Sequence, residues 1–561
     1  MSRLVSRAAF ALLLTGALAG MSVSPAAEGA PPPMPDVTVA QAANPASAAL
    51  TQRLIRDLKQ DGFEVTVGYP KLYEQSDCDA YTYPVMENCY GNNPAAPYVM
   101  PVVKAWPDEY VDPATVNAFG KTRPGYSATY RLDPREAIVV LGELPPQGRY
   151  LGLQSWVFSK EWLTPESPWN VASQQYFAAV APDLVGYLFG TVPPNPSRVQ
   201  SFSSLSNNIN NVVIEGQSGA AFGQTRYFVI TPDQAMDRSI RAALGRVGVV
   251  SDVVFTEPIP AADELGSIGP IGLDADANDF VTLMRYAMPE DQRAAMTWRK
   301  SLPLTVLRIR QAPSSDRLAE PYSLFVADPR SAVPESTFAP ALNQLVGSIC
   351  DRAASGPWNL DVTNSGCEGP AVVPSSVMID LVNDLGQFGP ECRSIGMNCL
   401  GDGQDASYFL AKSRALDEGQ VYAVVGTLAT QTGNGTYVGL SVNDVSTLKG
   451  VANIPDTDAS DVDGDLTGSA AIFESGGQDF DPFFVHFFTR DCSAIDGLTG
   501  GACTSITEDM VPRAGDPTAP GDPDLLGKFS AAVRAYVKPG TARGPDPALQ
   551  LRPRILTFTL P

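Results

Sequence analysis

The sequence predicts a β-rich α+β protein, two tandem and related β-sandwich-like domains with short helices. Three observations predict it. First, Asp133 to Trp156, DPREAIVVLGELPPQGRYLGLQSW, recurs at Asp417 to Asn443, DEGQVYAVVGTLATQTGNGTYVGLSVN. With Gly142 set on Gly426, Leu144 meets Leu428 and Gln147 meets Gln431. A three-residue insertion then brings Gly148, Tyr150, Gly152 and Leu153 onto Gly435, Tyr437, Gly439 and Leu440. A Val- and Ile-rich run, a turn and a second run read as a β-hairpin in each copy. Second, Cys89 is followed by Gly91 and Tyr98, and Cys399 by Gly401 and Tyr408, at the same offsets. Third, Phe222 to Asp233 lies on Phe480 to Asp491, both strand-like and both ending Thr-x-Asp. The matches keep one order along the chain, as a duplication requires.

The elements follow in sequence. Residues 1–27 carry Arg3 and Arg7, an apolar run from Ala8 to Gly20 and A-x-A sites, the pattern of a secretory signal peptide. Residues 28–45, rich in Pro and Ala, read as a disordered linker. Repeat 1 is assigned to 46–335, a disulfide-bearing bridge to 336–369 and repeat 2 to 370–561. Leu50 to Asp61 is an amphipathic helix stopped by Gly62, with a counterpart expected over Val377 to Leu385. Thr231-Pro232 opens a helix through Leu244, with Pro at its first position. Asp279 to Ala287 and Lys528 to Val537 are read as matching helices that carry Arg285 and Arg534, both expected to pair with acids. Asp279 is read as a helix N-cap. Closing strands follow at Leu304 to Arg310 and Ile555 to Leu560.

Composition limits the partners. The chain has 561 residues, 44% hydrophobic, enough to bury a real core. Its formal charge of −22 argues against nucleic acid and against anionic membrane surfaces. No later stretch is apolar for long enough to span a bilayer, so no transmembrane segment is expected in the mature chain. The eight cysteines fall in four local couples, Cys78/Cys89, Cys350/Cys367, Cys392/Cys399 and Cys492/Cys503. Eight cysteines allow about 105 pairings, and nearest-neighbour pairing is the simplest. Disulfides agree with export to the periplasm or beyond, and the absence of C-x-x-C weakens zinc and thioredoxin readings.

Few residues suggest chemistry. The single histidine, His486 in FFVHFF, reads as a core imidazole. Gln217-Ser218-Gly219 lacks the second glycine of a nucleophile elbow, since Ala220 stands there. Arg149, Tyr150, Gln154 and Trp156 alternate along one strand and are expected to line a ligand groove, rings stacking while Arg and Gln orient the ligand. Asp461, Asp463 and Asp465, with Asp456 and Asp458, crowd an acidic loop that suits Ca²⁺, although both anchoring acids of an EF-hand are missing.

Around Gly148-Arg149-Tyr150 and Gln154 the chain resembles a family of exported bacterial proteins of unknown function, whose pattern is G-R-Y-x-x-x-Q. Arg123-Pro124-Gly125-Tyr126 with Thr129-Tyr130 stands where that family carries N-P-D-T-x-Y, and departs from it. The resemblance covers residues 123–158 and implies no activity. The reading is therefore an exported ligand-binding or envelope protein without an evident catalytic centre, its ligand an unknown small molecule or glycan. The alternatives are a His-independent two-carboxylate hydrolase acting on glycans and a Ca²⁺-stabilised interaction module.

Overall fold

Runs rich in Val, Ile, Phe and Tyr, without a 3.6-residue period, build most of this chain into strands. The computed structural model describes residues 38, 45–161, 168–386, 388–456, 466–475 and 477–561. The expected signal peptide and most of the expected linker lie outside the described residues. In chain order the first half holds helix α1 (Pro45–Gln60), strands β1 (Phe63–Val67), β2 (Tyr69–Tyr73), β3 (Tyr98–Lys104), β4 (Glu136–Glu143), β5 (Gly148–Glu161), β6 (Asn195–Ser204) and β7 (Thr225–Thr231), helix α2 (Gln234–Arg246), and strands β8 (Val254–Pro258), β9 (Asp279–Pro289) and β10 (Leu304–Gln311). Helix α3 (Ala339–Ser355) leads into the second half. There follow β11 (Ile379–Asp380), β12 (Ala406–Leu410), β13 (Gln420–Thr427), β14 (Tyr437–Asp444), β15 (Lys449–Pro455), β16 (Phe483–Thr489), β17 (Cys503–Ser505), β18 (Lys528–Tyr536) and β19 (Arg554–Thr559). The fold is α+β with more strand than helix. No helix among the described residues is long and apolar enough to cross a membrane.

Each half has two large sheets, and their strand orders agree. The outer sheet of the first half runs β1-β10-β4-β7-β8, and that of the second runs β19-β13-β16-β17. From β10 and from β19 onward both pair antiparallel, antiparallel, then parallel. The inner sheets contain β2-β3-β9-β5-β6 and β11-β12-β18-β14-β15, antiparallel throughout. Between the two sheets of the first half sits a core that includes Leu151, Leu153, Phe228, Phe280 and Met284. The second half repeats it with Val438, Leu440, Phe484, Phe529 and Val533. Leu54 and Leu58 of α1 with Ile240 and Leu244 of α2 cover the outer face of the first outer sheet. Leu345 and Ile349 of α3 do so for the second.

Four expectations from the sequence need correction. The two runs of the repeated stretch do not form a hairpin: β4 pairs with β10 and β7 in the outer sheet, while β5 pairs with β9 and β6 in the inner one. The turn carries the chain from outer to inner sheet, and both runs are interior strands of their sheets, buried along almost their whole length. Asp279–Ala287 and Lys528–Val537 are strands, not helices. Every residue of β9 is buried. A central strand covered on both faces overrides the helical spacing of Phe280, Leu283, Met284 and Ala287. Asp279 accordingly caps no helix; it pairs with Arg131 at 3.2 Å and Arg198 at 3.4 Å. Val377–Leu385 holds only the short β11 and turns, because the Asp380 carboxylate accepts the N–H groups of Val382 (3.0 Å) and Asn383 (3.1 Å) and closes a turn instead. Finally, α2 starts at Gln234 behind an Asp233 cap that accepts from Ala235 N, so Pro232 lies before the helix.

The four nearest-neighbour cysteine couples are the disulfides: Cys78–Cys89, Cys350–Cys367, Cys392–Cys399 and Cys492–Cys503. Two of them anchor a reciprocal exchange between the halves. Cys89 N and Gly91 N donate to Thr447 O (2.8 Å) and Leu448 O (2.7 Å) of the second half. Cys399 N and Gly401 N donate to Ser201 O (2.8 Å) and Phe202 O (3.0 Å) of the first. Tyr90, Leu400, Phe202 and Leu448 all have positive φ there, at 65°, 54°, 36° and 51°. Such backbone is costly for a side-chain-bearing residue and persists only where its surroundings fix it. Here the crossing hydrogen bonds do so at matching positions in both halves.

Candidate functional site

The inner sheets place their polar side chains toward the seam between the halves, row by row. Arg285 stands between Tyr98 and Gly152 in the first sheet; Arg534 stands between Tyr408 and Gly439 in the second. The two glycines are required by close approach. A Cβ on Gly152 would lie 2.6 Å from the Tyr150 hydroxyl, and one on Gly439 would lie 2.8 Å from that of Tyr437. Each tyrosine thus folds back over the glycine two residues on, and the rings of Tyr150 and Tyr437 both pack on Tyr536, at 4.7 and 5.1 Å between centroids.

This seam is where the expected groove residues go. Tyr150, Gln154 and Trp156 are fully buried, so they do not line an open groove. The second half covers them. The Tyr150 hydroxyl donates to Asp405 Oδ1 at 3.2 Å, and Trp156 Nε1 donates to Asp402 O at 2.9 Å. Gln154 donates to Ser206 O at 2.8 Å, and its Oε1 accepts from Asn208 at 3.2 Å. Arg149 points the other way along the strand and is exposed. Alternation in the sequence puts Tyr150, Gln154 and Trp156 on one face, but it could not show that a second sheet would close over them. Arg285 lies against the rings of Tyr150 and Trp156 and reaches Asp405 Oδ1 at 3.5 Å. Burial raises the Asp405 carboxyl, and Arg285 opposes that rise.

His486 is buried on β16 with Nε2 2.8 Å from Thr504 Oγ1. Burial pushes its pKa down to about 3, so it is a neutral core imidazole at physiological pH. The expected Ca²⁺ ligands Asp461, Asp463 and Asp465 lie outside the described residues. Asp456, at the edge of that loop, is buried, and burial raises its carboxyl.

A different place has the size and chemistry of a binding site. A cleft of about 770 Å³ opens where the loop closed by Cys78–Cys89 meets the 182–193 segment and the 521–525 loop of the second half. That volume is in the range of small-molecule sites. Tyr83, Pro84 and Met86 form one wall, and Pro182, Tyr187 and Pro193 another. Behind them Asn88 donates to Gln200 Oε1 at 3.0 Å, which fixes the Gln200 amide. Gln200 is buried, yet its Nε2 has no partner among the described residues. Leaving such a donor unpaired costs about 1–3 kcal/mol. The Tyr187 hydroxyl is engaged with Val445 O and Ser446 O at 2.9 and 2.8 Å, so this ring offers its face.

Three acids complete the lining, Glu87, Asp183 and Asp522, and none of the lining residues is Lys, Arg or His. Asp183 is held by Lys528 at 3.2 Å. Glu87 and Asp522 remain exposed at the rim; burial, reinforced by these two acids, pushes the Tyr83 hydroxyl up to about 12. Such a cleft repels anions and accepts hydroxyl or ammonium donors. Its lining comes from four separated segments, none with a motif; the Cys78/Cys89 couple was the sole marker in the sequence.

No protein-family model matches the chain, and no curated protein does. Among solved structures, similarity extends to an uncharacterized protein from Burkholderia cenocepacia, at 8% identity and a TM-score of 0.32, over 92% of this chain and 90% of that one. It extends also to the VPA0106 protein from Vibrio parahaemolyticus, at 11% identity and a TM-score of 0.31, over 86% of this chain and 98% of that one. Likeness at these scores carries no argument about fold or function.

Proposed function

We propose that this chain is an exported, non-enzymatic ligand-binding protein that holds an uncharged or cationic polyhydroxylated small molecule, a glycan in the simplest case, in the cleft between its halves. The observation that carries the reading is the unpaired Gln200 amide donor behind tyrosine and proline walls, with acids at the rim. A sugar ring meets all three features at once: its C–H face stacks on tyrosine, one hydroxyl oxygen accepts from Gln200, and its hydroxyl hydrogens donate to Glu87 and Asp522. A simple polyamine would leave Gln200 unmet. The four disulfides and the leader-like first residues support export. The shared strand order supports descent of both halves from one duplicated unit.

A glycan array followed by isothermal titration on the purified chain tests the reading. Binding to a glycan that weakens tenfold or more in Tyr83→Ala, about 1.4 kcal/mol, is the expected result. Binding unaffected by Tyr83→Ala and Gln200→Leu would place the ligand elsewhere. A second reading, a two-carboxylate hydrolase, is favoured by the presence of Glu87, Asp183 and Asp522 in one cleft. Release of reducing sugar that stops in Glu87→Gln would select it over simple binding.

A further inference from the structure

The two inner sheets match position by position, and they differ most around one arginine of each pair. In the first half Val281 pairs with Trp156, and Leu283 with Gln154. The same rows of the second half hold Ser530 with Asn443, and Ala532 with Ser441. Trp156, Leu283 and Val281 are thus replaced by Asn443, Ala532 and Ser530, three smaller residues side by side. A cavity of about 60 Å³ lies there, bounded by these three, by Tyr408 and by Arg534, and otherwise largely by leucines. It has room for about four waters, or for one molecule of a few heavy atoms.

Charge is unbalanced at the same spot. Arg285 of the first half faces Asp405, whose counterpart three residues before the matching tyrosine is Ala95. Arg534 is buried and donates to Gly91 O at 2.8 Å and to Ser441 Oγ, and no carboxylate lies within ion-pair distance of it among the described residues. Asp402 borders the cavity, but its carboxylate is taken up by Ser204, Gly389 and Gln404. Asn443 is 4% exposed, and its Oδ1 has no hydrogen-bond partner among the described residues. A buried cation without a counter-charge is unfavourable by several kcal/mol, and an anion in this cavity would remove that cost.

We infer that the cavity is a second binding site, distinct from the cleft, and that it takes a small monocarboxylate with a short apolar tail. The carboxylate pairs with Arg534 and the tail lies along the leucine wall. The carboxylate cannot donate to Asn443 Oδ1; a water held beside it in the cavity can.

Sodium butyrate is the probe, with butyramide as its uncharged isostere and sodium chloride at equal ionic strength as the control. Titration calorimetry and thermal melts are read on the full chain. Expected are one-to-one butyrate binding, a melting temperature raised by butyrate beyond the salt control, and at least tenfold weaker binding of butyramide. Ala532→Leu and Asn443→Trp install the first half's residues and fill the space; both should abolish binding while the unliganded melting temperature holds or rises. Arg534→Gln should weaken butyrate at least tenfold and bring it level with butyramide. The inference is overturned if butyrate acts no differently from chloride, if butyramide binds as well as butyrate, or if the folded Ala532→Leu variant still binds butyrate with unchanged affinity.

Discussion

The two halves share a strand order and solve the problem of buried polarity differently. The first buries ions. Arg308 pairs with Glu136 and with Glu109, the latter at 2.6 Å, and Trp106 Nε1 donates to Glu136 at 3.0 Å. Next to them Arg131, Arg198, Asp279 and Asp112 form a second buried cluster. In the second half the position of Glu136 is taken by Gln420, and that of Arg308 by Thr557; Gln420 instead donates to Thr559 Oγ1 at 3.3 Å. The lesson is that backbone pairing fixes the fold, while side chains at the same register are free to be ionic or neutral. Ionic clusters of this kind confer little net stability when intact but are costly to break, because the surviving partner stays buried and charged.

That contrast is sharpest under mutation. Arg308→Met should lower the free energy of unfolding by about 3–5 kcal/mol, read from urea midpoints, since it strands Glu136 and Glu109. Thr557→Val at the matching position should change it by less than about 1 kcal/mol. Equal losses at the two positions would show that the ions are not what sets the halves apart. Removing Cys78–Cys89 as a pair of alanines should cost about 2–4 kcal/mol, and titration with a glycan found on the array should show weaker binding as well, because that loop forms the cleft wall. If binding survives while stability falls, the loop is held by packing alone.

The pH responses should run in opposite directions. His486 has a folded pKa near 3, below its ordinary value of about 6.5. The unfolded chain therefore takes up the extra proton between these values, and stability is lost as pH falls from about 6.5 towards 3. His486→Phe, the residue type at Phe228 in the first half, should abolish that loss, worth up to about 3 kcal/mol at pH 4. Glu257 of the first half is buried and pushed up to about 8 by desolvation, with Ser155 N donating to it at 2.7 Å. It is protonated when folded and ionised when unfolded, so stability present below about pH 4.5 is lost as pH rises through 8. Glu257→Gln should raise the melting temperature at pH 8 to 9 and leave it unchanged at pH 4. A shift at both pH values would mean that the carboxyl acts by shape, not by charge.

Legibility in the sequence followed the range of the interaction. The cysteine couples, α1 and the closing strands were readable because their determinants lie within a few residues. The seam was not, because Tyr150 and Trp156 meet Asp405 and Asp402 only after both halves have folded. β9 and β18 were misread as helices because Phe280, Leu283 and Met284 satisfy a helical period that burial on two faces overrules. The emptied position at Asn443 was visible in the alignment of the repeated stretch, opposite Trp156, but its meaning depended on knowing that Arg534 sits beside it.

The crossing of the cysteine–glycine segments has a consequence for synthesis. Cys89 and Gly91 receive their backbone partners from Thr447 and Leu448, made much later. A nascent chain that has emerged only through residue 335 therefore cannot complete its own first half, whatever its local preferences. Contacts so distant along the chain are slow to close, and the unfinished seam, with its rings and buried ions, must be kept from other chains meanwhile. Vectorial emergence thus leaves the seam open until the segment around Thr447 and Leu448 has been made and folded.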